Sequence, residues 1–146
     1  MAFDKMNSAG FLANLMARLF ARGLQQRIKP LGLAPAQFMT LLELWNEDGI
    51  TQKELVSRLD VEQATMANTI TRMVRDGLIE RRTHPDDGRA QSLHLTQKAK
   101  AVEHDAVTAA KGVNQAAFRT LSAEEQKHFK ELMRKVIGNM KNETRL

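Results

Sequence analysis

Cysteine is absent from the 146 residues, which excludes disulfides, thiolate metal sites and cysteine-based redox sensing. Aromatic residues are scarce, at 5%, against 42% hydrophobic residues. A core built from Leu, Ile, Val, Met and Ala favours helices over an aromatic-rich β-sandwich. With only 3 Pro and 8 Gly, few turns are signalled and few long loops are expected. No segment approaches the ~20 apolar residues that span a bilayer, so no membrane partner is expected. The first residues include Asp4 and Lys5 and no short apolar run ending in a cleavage site. A secretory signal is therefore not expected, and a reducing cytoplasm is.

Catalytic signatures are missing too. There is no phosphate-cradling glycine loop, nucleophile elbow, metal-binding helix motif or plausible triad. The expectation is a protein that is not an enzyme and needs neither metal nor cofactor. His84, His94, His104 and His128 have no tight metal-ligand spacing. His84 and His94 share a predicted hairpin, yet ordinary surface histidines explain them better than a metal site does.

The length suits one domain or a small obligate oligomer. A formal charge of +5 permits a nucleic-acid partner, but the charge is unevenly spread. Residues 1–60 carry 7 basic and 6 acidic side chains, residues 61–96 carry 5 and 5, and residues 97–146 carry 10 and 6. The middle segment, which holds the most suggestive motif, is neutral. Any DNA argument there rests on where the charges sit.

Phe11, Leu12, Leu15, Met16, Leu19, Phe20, Leu24 and Ile28 recur at helical spacing and predict a first helix from about Asn7 to Lys29. Pro30, Gly32 and Pro35 break it, and Pro35 fits the first position of a second helix. Phe38, Leu41, Leu42 and Trp45 give that helix an apolar face, and it ends near Asp48-Gly49. Thr51-Gln52-Lys53-Glu54 is a capping box that opens a short third helix, buried through Leu55, Val56 and Leu59. A turn at Asp60-Val61-Glu62 leads to a fourth helix, which reaches Arg75 and ends at Gly77. Leu78 to Thr83 and Ser92 to Leu95 read as paired strands around the turn Pro85-Asp86-Asp87-Gly88. Thr96 can cap a fifth helix to about Phe118. Ser122-Ala123-Glu124-Glu125 opens a sixth, with Phe129, Leu132, Met133, Val136, Ile137 and Met140 along one side. Residues from about Asn142 are expected to fray.

The third and fourth helices make a helix-turn-helix, with the fourth as the reading helix. Met66, Ala67, Ile70, Met73 and Val74 face the core. Thr65, Asn68, Thr69, Arg72 and Asp76 face away, and Gln63 sits in the first turn. Gln and Asn can make paired hydrogen bonds to adenine, Arg to guanine, and Thr to base or phosphate. Alone, this pattern equally fits a solvated amphipathic helix. The hairpin shifts the balance. Arg81, Arg82 and Arg89 flank its tight turn, and an arginine at a hairpin tip can enter the minor groove. Asp86 and Asp87 would repel phosphate. Asp87 makes sense if it pairs with an arginine, Arg89 being nearest, and shapes the wing. Together the two elements point to double-stranded DNA.

Asp87-Gly88-Arg89-Ala90-Gln91-Ser92-Leu93-His94-Leu95-Thr96 resembles the wing signature of the MarR family of bacterial transcription regulators. Gly77-Leu78-Ile79-Glu80-Arg81-Arg82 is similar to that family's helix-to-wing junction. Leu33-Ala34-Pro35-Ala36-Gln37-Phe38 is similar to the start of its second helix. The resemblance covers nearly the whole chain. It implies a mainly α fold of six helices with a small β-hairpin wing, intertwined as a homodimer. Residues 1–34 and 97–146 would form the helical dimerisation region, and residues 35–96 the winged helix-turn-helix. Carried over by position, Gln63, Thr65, Asn68, Thr69 and Arg72 would face the major groove. Arg89 would enter the minor groove, with Arg75, Arg81 and Arg82 near the backbone and Asp87 holding the wing. Thr51 and Gln52 would sit near phosphate. Two departures are visible. Ala34 stands where Thr or Ser often caps the second helix, and Ala99 replaces a frequent Gly.

The function this implies is a repressor-type regulator on a palindromic operator, released by a small aromatic or anionic effector. Arg18, Phe20, Arg22 and Trp45 could line an effector crevice, but packing or solvation accounts for each more simply, so the effector-binding residues stay unknown. The alternatives are a winged-helix protein-interaction module and a non-specific DNA-binding protein without an effector.

Overall fold

The structure, a computed structural model, describes residues 2–83, 86, 88 and 90–144, the side chain of Thr144 excepted. Among these residues the order is α1 (Ala9–Ile28), α2 (Pro35–Asn46), α3 (Gln52–Leu59), α4 (Gln63–Arg75), β1 (Ile79–Thr83), β2 (Gln91–Leu95), α5 (Gln97–Ala117) and α6 (Ala123–Thr144). Single 3-10 turns at Lys5–Asn7 and Lys29–Leu31 flank α1. The chain divides into two compact units, residues 1–113 and 114–146. No helix among the described residues is long and apolar enough to cross a membrane.

Local chemistry sets most helix ends. Ser8 caps α1 by accepting the Phe11 N–H. At α3 the Thr51 hydroxyl accepts the Glu54 N–H at 3.2 Å, and the Glu54 carboxylate accepts the Thr51 N–H at 3.3 Å. Ser122 and Glu125 make the same reciprocal pair at the start of α6. Thr96 accepts the Ala99 N–H to cap α5. Helix α6 continues to Thr144.

The core of the first unit lies where α2, α3, α4 and the hairpin meet. Met66, Ile70 and Met73 of α4 are buried together with Leu41 and Leu44 of α2, Leu55 of α3 and Leu93 of β2. Each large apolar side chain buried in this way contributes roughly 1.5–3 kcal/mol. One expectation fails here. Leu44, not placed on the apolar face, is fully buried, whereas Leu42, placed on it, is 38% exposed. The two residues flank opposite edges of the Phe38–Leu41–Trp45 stripe, and the neighbouring elements cover the Leu44 edge. The Trp45 ring packs edge-on against Phe38 and donates its N–H to the Ala99 carbonyl at 3.0 Å.

Strands β1 and β2 pair antiparallel, with Ile79 opposite Leu95 and Thr83 opposite Gln91. Backbone bonds extend this sheet beyond the expected hairpin. Gly49 N–H donates to the Leu93 carbonyl and Leu93 N–H to the Ile50 carbonyl, both at 2.9 Å. The loop before α3 thus lies along β2. Asp48 strengthens this join by accepting the Leu95 N–H at 2.8 Å.

Candidate nucleic-acid interface

The turn between α3 and α4 depends on Asp60, which ends α3 in the left-handed conformation at φ 52°. Asp tolerates that region better than most residues do. At its far end α4 closes with two bonds, Leu78 N–H to the Met73 carbonyl and Gly77 N–H to the Val74 carbonyl. This pairing is a Schellman motif. It needs the positive φ of 72° that Gly77 supplies. Buried Leu78 and Met73 accompany it. The chain can therefore turn from α4 directly into β1.

Within α4 the two faces separate as expected. Met66, Ile70 and Met73 are buried, while Gln63, Thr65, Asn68 and Arg72 are exposed. Thr69 is only half-exposed, and its hydroxyl donates to the Thr65 carbonyl at 3.0 Å. It can still offer its methyl or accept a hydrogen bond. Thr51 is similarly engaged, because its hydroxyl bonds Glu54 in the capping box. Gln52 is half-buried at the first position of α3. Arg81 and Arg82 are exposed on β1, and Arg82 bonds Glu80 at 3.4 Å. His84, Asp87 and Arg89, and with them the expected Asp87–Arg89 wing pair, lie outside the described residues.

Two groups of side-chain bonds, neither of them expected from the sequence, brace the helices around α4. Arg58 of α3 reaches Glu43 of α2, Glu47 at the end of α2 and also Glu54, which ties α3 to α2. Its hydrogen bond to Glu47 is the main cause that raises its pKa. The second group centres on Asp76, expected on the outward face. The Asp76 carboxylate accepts from buried Gln37 at 2.9 Å and from Arg75 at 3.0 Å. Gln37 also accepts the Ala34 N–H at 3.0 Å, completing half of a capping box whose other half Ala34 cannot make. The Arg75 hydrogen bond, then that of Gln37, holds the Asp76 carboxyl below its ordinary 3.8. Only a capping residue with no cap to answer it, Gln37, hinted at this group.

Proteins of known identity share this fold. A sequence model of the MarR family matches residues 33–90. The HTH-type transcriptional regulator MgrA of Staphylococcus aureus is 31% identical over 109 residues, which are 75% of this chain and 73% of MgrA. The chain belongs to the MarR family. It is a winged-helix transcriptional regulator of that family, and the solved structures bear out the six-helix fold with a hairpin. A mutant of MarR from E. coli, complexed with operator DNA, superposes with a TM-score of 0.85 at 26% identity, covering 93% of this chain and 98% of that one. The PcaV transcriptional regulator from Streptomyces coelicolor, in complex with its natural ligand, gives a TM-score of 0.85 at 27% identity, covering 94% and 97%.

Proposed function

We propose that this MarR-family protein is a non-catalytic repressor of the cytoplasm that binds palindromic operator DNA as a homodimer and is released by a small aromatic or anionic effector. The observation that carries the reading is the exposed polar face of α4. Gln63, Thr65, Asn68 and Arg72 stand free on one side, while Met66, Ile70 and Met73 anchor the other. In this reading that face and Thr69 enter the major groove. Arg81 and Arg82 approach the backbone with Arg75, Thr51 and Gln52, and Arg89 enters the minor groove on a wing held by Asp87. The engaged hydroxyl of Thr51 leaves the amide of Gln52 as the better phosphate donor there.

Exposed apolar residues support the second copy. Leu132, Val136, Ile137 and Met140 on α6 run from 46% exposed at Leu132 to 58% at Val136, and Leu12 and Leu19 are exposed on α1. Side chains of that kind in such number call for a partner surface. The dimerisation region then comprises residues 1–34 and 97–146, beside the winged domain of residues 35–96. Two reading helices one DNA turn apart, roughly 34 Å, fit a palindrome. Effector release follows by linkage if the ligand prefers another separation. The relatives solved with operator DNA and with a natural ligand support both halves of this reading. Among the crevice candidates, Arg18 and Arg22 are exposed, and Trp45 is committed to Phe38 and Ala99.

The test is selection of bound fragments from genomic DNA, followed by thermal-shift screening of aromatic acids. Recovery of a palindrome, with one class of acid weakening the complex, is the expected result. A folded protein that retains no fragment would refute the reading.

A further inference from the structure

The end of α4 is held from two sides. From α2, the buried Gln37 amide donates to the Asp76 carboxylate at 2.9 Å, while its oxygen takes the Ala34 N–H at the helix start. From the start of α5, Lys98 donates to the Asp76 carbonyl at 2.8 Å and the Thr96 hydroxyl to the Gly77 carbonyl at 2.6 Å. By contrast, the N-terminal cap position of α4, Glu62, makes no side-chain capping bond. Met66, Ile70 and Met73 pack the helix into the core along its length, and the bonds at its C-terminal end add a fixed point to that packing.

We propose that Gln37 and Asp76 are positioning residues for DNA recognition. Their hydrogen bond joins the start of α2 to the end of α4 and sets the angle at which α4 meets the groove. Asp76 touches no DNA in this account, and as an anion beside the reading helix it opposes phosphate. It is kept for the angle it imposes. This inference rests on the DNA-binding reading above.

The charge and the angle predict opposite signs, and three variants separate them. Asp76→Asn keeps an oxygen for Gln37 and loses the negative charge. Asp76→Ala loses both. Gln37→Met keeps the buried volume and loses both bonds, the one to Asp76 and the one from the Ala34 N–H, so Asp76→Ala is the variant that isolates the Asp76 bond. Binding of each variant to the duplex recovered by selection, and to an unrelated duplex, is measured across a salt titration. Circular dichroism melts establish that each variant is folded. If α4 keeps the competent angle one-tenth of the time without the bond, affinity for the selected duplex falls about tenfold. Gln37→Met and Asp76→Ala are expected to show that loss with an unchanged salt slope, because no phosphate contact is removed. Asp76→Asn is expected to bind at least as tightly as the parent. Should Gln37→Met fail to fold, Asp76→Ala carries the comparison, since its side chain is 32% exposed. Parent binding with Asp76→Ala equal or tighter overturns the inference alone. A parent that prefers no duplex removes the DNA-binding reading with it.

Discussion

Single residues carry testable energies. Ala34 has the extended backbone of a helix cap, φ −104° and ψ 157°, but no side chain to accept a bond. Ala34→Ser should complete the box with Gln37 and raise stability by about 1 kcal/mol. A denaturant midpoint that does not move would mean the cap is already satisfied. Gly49 is a contrary case. It sits at φ 80°, and a Cβ there would come within 3.0 Å of the His94 ring. Gly49→Ala should cost at least ~1–2 kcal/mol for the left-handed backbone alone, read by the same denaturation. Asp76 gives a pH dependence. Its folded pKa is lowered, chiefly by the Arg75 hydrogen bond, so its contribution is present above the ordinary 3.8. The contribution is lost as the pH falls from there through the lowered value. An acid titration of stability should be flatter for Asp76→Asn than for the parent. Parallel curves would show that the pair adds nothing to folding.

At the scale of elements, α4 combines a buried half with a free half. Ile70→Ala should destabilise by about 2–5 kcal/mol, because Ile70 lies at 0% exposure in the core. Arg72→Ala, on the exposed face, should leave the melting temperature near that of the parent and weaken DNA binding, as gel shift or anisotropy would report. Binding as tight as the parent's would remove Arg72 from the interface. Elements set by local chemistry could be foreseen from sequence. The Thr51–Glu54 and Ser122–Glu125 boxes and the Gly77 stop each lie within a few residues, and the exposed face of α4 follows from helical period. Features made by distant partners could not be foreseen. Leu42 and Leu44 sit on opposite edges of one stripe, and only the covering elements decide between them. Gln37 and Asp76 are 39 positions apart, with no local signal to join them. The Gly49–Leu93 bond similarly joins a loop to a strand far along the chain.

At the scale of the whole molecule, the proposed function depends on pairing. Val136 and Ile137 are more than half exposed on a face with no polar reason to be apolar. A charge there, as in Val136→Lys, should shift sedimentation from dimer to monomer and weaken operator binding, with the α4 face untouched. Unchanged sedimentation would count against the proposed homodimer's pairing through this face. Because residues 61–96 are neutral in sum, the proposed reading needs individually placed arginines there rather than a net basic segment. The central claim is a two-fold clamp that reads sequence. Its most direct measurement is binding of the intact protein to fragments selected from genomic DNA, with stoichiometry and salt dependence determined together. The account predicts a palindromic fragment, two chains per duplex, and an affinity that falls linearly with salt on logarithmic axes, about 0.9 per phosphate neutralised. Binding with no preferred sequence at any salt concentration would contradict it.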